Sequence, residues 1–139
     1  MNSKLMPVLA LLFSSLLMSM SPTSAATPDE LQAEATLMRY FDALKQGDTS
    51  ALKSLLGGRL LQKRLALLNN PTYPGHLINV YQNAQFYING QQTTANGRVK
   101  ITATISFDQQ DSQKKTFLLV KTETGDSQFS IHHISESPY

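Results

Sequence analysis

The sequence predicts an α+β domain in which N-terminal helices pack on an antiparallel sheet of four strands. Three observations carry this. Apolar residues recur at helical spacing from Pro28 to about Leu68. From Gln82 onward the period changes to two, as in half-buried strands. Short connections join these strands, which suits antiparallel neighbours. Their alternate face is polar, so one side is wet and the other packs on the helices.

Residues 1–26 come first and read as a cleaved signal peptide. Lys4 supplies a positive start. Leu5 to Met20 is apolar apart from scattered serines and one proline, and Pro22 breaks the run. Thr23-Ser24-Ala25-Ala26 offers small residues for a cut after Ala25 or Ala26. A transmembrane anchor is the alternative, but the unbroken apolar stretch is shorter than the ~20 residues a spanning helix needs. No later segment approaches that length, so no membrane span is expected once the signal is removed. Residues 27–139 then form a single domain.

The first helix starts at Thr27-Pro28-Asp29-Glu30. Thr27 can cap, Pro28 suits the first helical position, and Glu30 completes a capping box. It runs to about Gln46, with Leu37, Tyr40, Phe41 and Leu44 in one stripe, and Gly47 is the stop. Asp48 caps a short second helix over Thr49 to Leu56, which Gly57-Gly58 ends. A third covers Arg59 to Leu68, with Leu60, Leu61, Leu65 and Leu68 sharing a face. Asn69 to Gly75 is rich in turn residues and reads as an irregular loop. His76 to Tyr81 adds one or two helical turns.

Among the strands the clearest is the one where Val99, Ile101, Ala103, Ile105 and Phe107 alternate with polar residues. Gln85 to Thr94 reads as its partner, joined through a turn at Asn96-Gly97. Asn89-Gly90 interrupts that partner, and a bulge is favoured over a second hairpin turn. Thr116 to Lys121 is the third strand. Gly125 marks a turn, and Gln128 to Ser135 is the fourth strand.

Composition excludes several classes. There are no cysteines, so disulfides and cysteine-linked lipid are ruled out. Small secreted domains often depend on disulfides, so this one must be held by its core. Asn70 is followed by Pro71, which leaves no N-glycosylation acceptor. These features point to a periplasmic or secreted protein. The net charge is only +2 and the basic residues are scattered, which argues against a nucleic-acid partner. There is no phosphate-binding glycine loop, no Gly-x-Ser-x-Gly elbow and no His-Glu-x-x-His. Three histidines without clustered carboxylates make no metal site, and no cofactor is implied.

The segment Arg39-Tyr40-Phe41-x-Ala43-Leu44-x-x-Gly47-Asp48-x-x-x-Leu52-x-x-Leu55 resembles the helix–helix opening of the nuclear transport factor 2-like superfamily, the SnoaL-like, cystatin-like α+β folds. The element order matches over most of residues 27–139. The resemblance implies a strongly curved four-stranded antiparallel sheet that wraps the first helix and forms a cone-like pocket. It implies no reaction, because one fold hosts many functions. In the ketosteroid isomerase branch, Tyr40 would match the tyrosine that donates to the developing oxyanion. That branch also needs an aspartate base, and Gly57 to Pro71 holds no Asp or Glu. Its second aspartate is missing from Thr116 to Lys121. That chemistry is therefore not carried over.

The candidate site residues are Tyr40, Tyr73, His76, Tyr81 and His133. Tyr40 reads either as a pocket hydrogen-bond donor or as a core tyrosine with its hydroxyl satisfied at an edge. His132 and His133, adjacent on a strand, point to opposite faces. His133 would share its face with Phe129 and Ile131, which makes it the best acid–base candidate if that face lines the cone. His132 would lie outside, paired with Glu136. Tyr73, His76 and Tyr81 could form the rim of a pocket. Asp42 is off the stripe and solvated. The expected function is an exported module that binds a small apolar or amphipathic ligand, or a protein partner. The alternatives are a pocket enzyme of isomerase or lyase type acting through Tyr40 and His133, and a dimeric structural subunit.

Overall fold

The computed structural model describes residues 26–108, 111–122 and 129–136. The signal, apart from Ala26, and the turn at Gly125 lie outside them. Four helices precede four strands: α1 Pro28–Gln46, α2 Thr49–Leu55, α3 Gly58–Leu68, α4 Tyr73–Tyr81, β1 Gln85–Thr93, β2 Val99–Ser106, β3 Ser112–Lys121 and β4 Phe129–Glu136.

The capping box at α1 forms as the sequence predicts. Thr27 Oγ1 accepts from the Glu30 N–H at 3.2 Å, and Glu30 Oε1 accepts from the Thr27 N–H at 3.1 Å. Gly47 ends the helix with φ of 65°, a left-handed conformation that costs glycine little. A Cβ at Gly47 would also stand 2.6 Å from the Pro74 carbonyl oxygen, so α4 packs directly on the end of α1. Asp48 caps α2 by accepting from the Ala51 N–H at 3.0 Å.

Two helical expectations need correction. α4 begins at Tyr73, so the irregular loop is shorter than the turn-rich composition suggests. Pro74 does not prevent this, because the first-turn N–H groups lack intrahelical partners in any case. On α3, Leu68 is buried and Leu60 and Leu61 pack on the core, but Leu65 is 41% exposed. The inward row is Leu60, Arg64 and Leu68, four residues apart, and Leu65 is turned about 100° away from it.

The sheet has the order β1-β2-β3-β4, antiparallel throughout and not closed. In β2, Val99, Ile101, Ala103 and Ile105 are all at most 1% exposed. Phe107 lies beyond the strand end and is half-buried. The interruption in β1 is a bulge: Ile88 pairs with Ala103 and Gly90 with Thr102, leaving Asn89 extra. The Thr104 hydroxyl donates to Asn89 Oδ1 at 2.7 Å and holds it there. β3 starts at Ser112, earlier than expected, because Lys114 and Lys115 pair with Thr104 and Ala103 of β2.

A second bulge falls in β4. Leu119 pairs with Ile131 and the preceding Leu118 with His133, so His132 is the extra residue. Past it the alternation changes phase. Phe129 and Ile131 are fully buried, His133 is exposed, and Ile134 packs on the core. His133 therefore does not share a face with Phe129 and Ile131, contrary to the sequence expectation, because one inserted residue shifts every later side chain across the sheet.

α1 lies against β1, β2 and β4. Phe41 on α1 stacks on Phe86 of β1 at 4.2 Å between ring centroids and meets Phe117 of β3 edge-on at 5.7 Å. Leu37, Leu52, Ile101, Leu119, Phe129 and Ile131 complete this interior. Each such side chain, fully buried, contributes about 1.5–3 kcal/mol. In a chain without disulfides this core carries the stability.

The edges of the sheet are treated differently. Beside β4, Leu56 forms a parallel bridge to Ile131, and the Gly57 N–H donates to the Ile131 carbonyl at 3.0 Å. Among the described residues no strand pairs with the outer side of β1.

Candidate functional site

Polar chemistry gathers where α1, α3 and α4 converge over the sheet. Tyr40, on the apolar stripe of α1, is 5% exposed. Its ring meets Phe117 edge-on at 6.0 Å and Phe41 at 5.9 Å. Its hydroxyl accepts from Arg64 Nη1 at 3.2 Å. Burial pushes the Tyr40 phenol above its usual pKa, and the charge and hydrogen bond of Arg64 pull it part of the way back. Tyr81 and Tyr73 lie close enough to act on it in the same direction as burial.

Tyr81 closes α4 and is half-buried, tilted against Phe107 at 5.7 Å and stacked on Phe86 at 6.4 Å. Burial raises its pKa too, with neighbouring Tyr73 adding to the rise and Arg64 opposing it. Tyr73 opens the same helix, half-buried and stacked on His76 at 6.1 Å. The imidazole of His76 is on the exposed side of that stack.

The structure thus brings Tyr40, Tyr73 and Tyr81 together, sets His76 at their border, and leaves His133 out. Tyr40 and His133 do not form an acid–base pair on the helix-facing side of the sheet, because the His132 bulge turns His133 to solvent. The residue that sequence reasoning missed is Arg64. Its signal was present: it sits midway between Leu60 and Leu68 on the inward row, in a stretch with no carboxylate.

His132 occupies a different niche. Its Nε2 is 2.9 Å from Ser130 Oγ. A Cβ at Gly57 would fall 2.6 Å from that nitrogen, so the ring lies on the α2–α3 junction. Burial lowers its pKa, and the charge of Arg98 lowers it further. The expected pairing with the Glu136 side chain falls outside what is described. On the outer side of α1 a groove of about 280 Å³ runs between Arg39, Asp42, Gln46, Asp48 and Ser54. Asp42 is exposed there, as its position off the stripe implies. Among the described residues no three His, Asp or Glu side chains gather as a metal donor set. No described helix is long and apolar enough to cross a membrane.

No protein-family profile matches the chain, and no curated protein matches it by sequence. A solved structure does share its arrangement. The VirB8 protein of Agrobacterium tumefaciens superposes with a TM-score of 0.52 at 13% identity, over 84% of this chain and 98% of that one. At that identity the likeness establishes the fold. It bears out the expected α+β class, with helices packed on an open antiparallel sheet of four strands.

Proposed function

We propose that this protein is an exported, non-catalytic interaction module that works as a homodimer, pairing through the free edge of β1. The observation that carries the reading is the contrast between the two sheet edges. The β4 edge is occupied by Leu56 and Gly57. The β1 edge presents nine residues of backbone with no strand against it among the described residues. Exposed edges of this kind are templates for strand addition. Soluble proteins usually guard them with charge, yet Gln85 to Gly97 contains no Lys, Arg, Asp or Glu.

A second copy is the occupant that suits this edge. A two-fold axis sets identical strands antiparallel and closes the assembly. Two uncharged edges meet without like-charge repulsion. Tyr87, 50% exposed, supplies apolar surface beside the seam. The Asn89 bulge limits the paired length to the stretch on one side of it. Export rests on the n-region, apolar run and small-residue site of residues 1–26.

The test is sedimentation velocity of residues 27–139 over a wide concentration range, beside Tyr87→Lys. The reading expects a reversible dimer that the substitution weakens at least tenfold. A wild-type monomer at every concentration would sink it, and so would a dimer indifferent to Tyr87→Lys.

A second reading, small-ligand binding, is favoured by the convergence of Tyr40, Arg64, Tyr73 and Tyr81. Its test is direct titration with amphipathic ligands.

A further inference from the structure

The ligand-binding reading of that convergence can be taken to a chemical class. The cluster is made of donors. An arginine carries five N–H donors and no acceptor, and one from Arg64 goes to the Tyr40 hydroxyl. That hydroxyl is itself the acceptor in the contact, and no hydrogen bond donated by it is found among the described residues. Tyr73 and Tyr81 bring two more hydroxyls within electrostatic reach. Among the described residues no carboxylate stands within ion-pair distance of Arg64; the Lys121–Asp29 pair at 3.3 Å lies on another part of the surface.

A half-buried guanidinium without an anion is costly to keep, and a charge lodged in an apolar row is normally paired. Here its nearest polar neighbour is a neutral phenol. Among the described residues the site has no negatively charged acceptor. Its ring neighbours are apolar: Phe86 and Phe107 stand beside Tyr81, and Phe117 meets Tyr40 edge-on. Arg64, Tyr73 and Tyr81 are each partly exposed, so the cluster is open to solvent on one side.

We infer that this cluster is a binding site for a small organic carboxylate with an apolar tail, the carboxylate held by Arg64 and the Tyr40 hydroxyl. Planar guanidinium matches a carboxylate in two parallel hydrogen bonds. The Tyr40 proton adds a third donor from the buried side. The tail lies against Tyr81 and its phenylalanine neighbours. His76, exposed beside Tyr73, borders the entrance. The inference rests on the ligand-binding reading and is independent of pairing at β1.

Isothermal titration of the protein with octanoate, 1-octanol and inorganic phosphate tests it. Octanoate should bind at least tenfold more tightly than either of the others. Arg64→Gln should bring octanoate down to the affinity of the alcohol and leave the alcohol unchanged. Tyr40→Phe should weaken octanoate several-fold. Equal binding of octanoate and octanol, or an Arg64→Gln protein that keeps the preference, overturns the carboxylate assignment but leaves a ligand site standing. Phosphate binding as well as octanoate removes the role of the tail. If neither octanoate nor octanol binds, the ligand-binding reading falls with it. Should Arg64→Gln fail to fold, the octanoate-to-octanol ratio on the wild-type protein still decides.

Discussion

The two edges of the sheet solve the same problem in opposite ways. At β4 the chain closes its own edge: Leu56 bridges Ile131, Gly57 donates to it, and the His132 ring packs over Gly57. At β1 nothing among the described residues does this, and the strand bears a bulge instead of a cover. The closed edge belongs to the core, since Ile131 and Leu56 are buried. The open edge belongs to the surface, with Gln85, Tyr87 and Gln92 all exposed. Substitutions should therefore be read as stability at one edge and as association at the other.

The largest effect is expected at the closed edge. Ile131→Ala removes a fully buried side chain, and urea unfolding should show a loss of about 2–5 kcal/mol. A loss under 1 kcal/mol would mean that the Ile131 side chain does not anchor the core at this edge.

Gly57→Val should come next. Its Cβ would stand 2.6 Å from His132 Nε2 and 2.8 Å from Ser130 Oγ. Rearranging the imidazole should cost about 1–3 kcal/mol. Because the obstacle is a side chain, most of that cost should vanish in a His132→Ala background. A double-mutant cycle reads the coupling, and additive effects would show that His132 is not the obstacle.

At the open edge, Tyr87→Lys and Gln92→Lys should change the unfolding free energy of the dissociated monomer, measured at low protein concentration, by no more than about 0.5 kcal/mol, even as self-association falls at higher concentration. A large destabilisation there would erase the distinction between the edges.

The smallest effect concerns pH. The native pKa of His132 is depressed by burial and by Arg98. The unfolded chain therefore binds this proton more readily, and stability rises with pH across the interval. The contribution is complete above the ordinary histidine range and is lost as pH falls through the depressed native value. His132→Gln should flatten this part of the acid limb in urea titrations.

Legibility from sequence followed the same division between regular and interrupted structure. The α1 cap was readable because Thr27, Pro28 and Glu30 act within one turn. β2 was readable because its alternation is unbroken and one side is wholly buried. The Asn89-Gly90 interruption was readable since glycine in an otherwise regular strand marks a bulge. The β4 bulge was not. Two successive histidines look alike in a strand, and no glycine signals which is inserted, so plain alternation puts His133 on the wrong face. Arg64 was hidden for a different reason. On a leucine-rich helix several rows fit the helical period, and packing against β4 and α2 selects the one that includes the arginine. The site was thus half visible: its tyrosines stood out by type, and its charge emerged only from the packing of α3.

The convergence of tyrosines has an optical consequence. The chain has no tryptophan and five tyrosines. Three of them, Tyr40, Tyr73 and Tyr81, stand around Arg64, so ultraviolet absorbance and emission come mainly from one place in the molecule. No indole is present to mask the phenols or to drain their excitation. The protein carries its own chromophore at the position where a guest would sit, and occupancy there can be followed by light without attaching a dye.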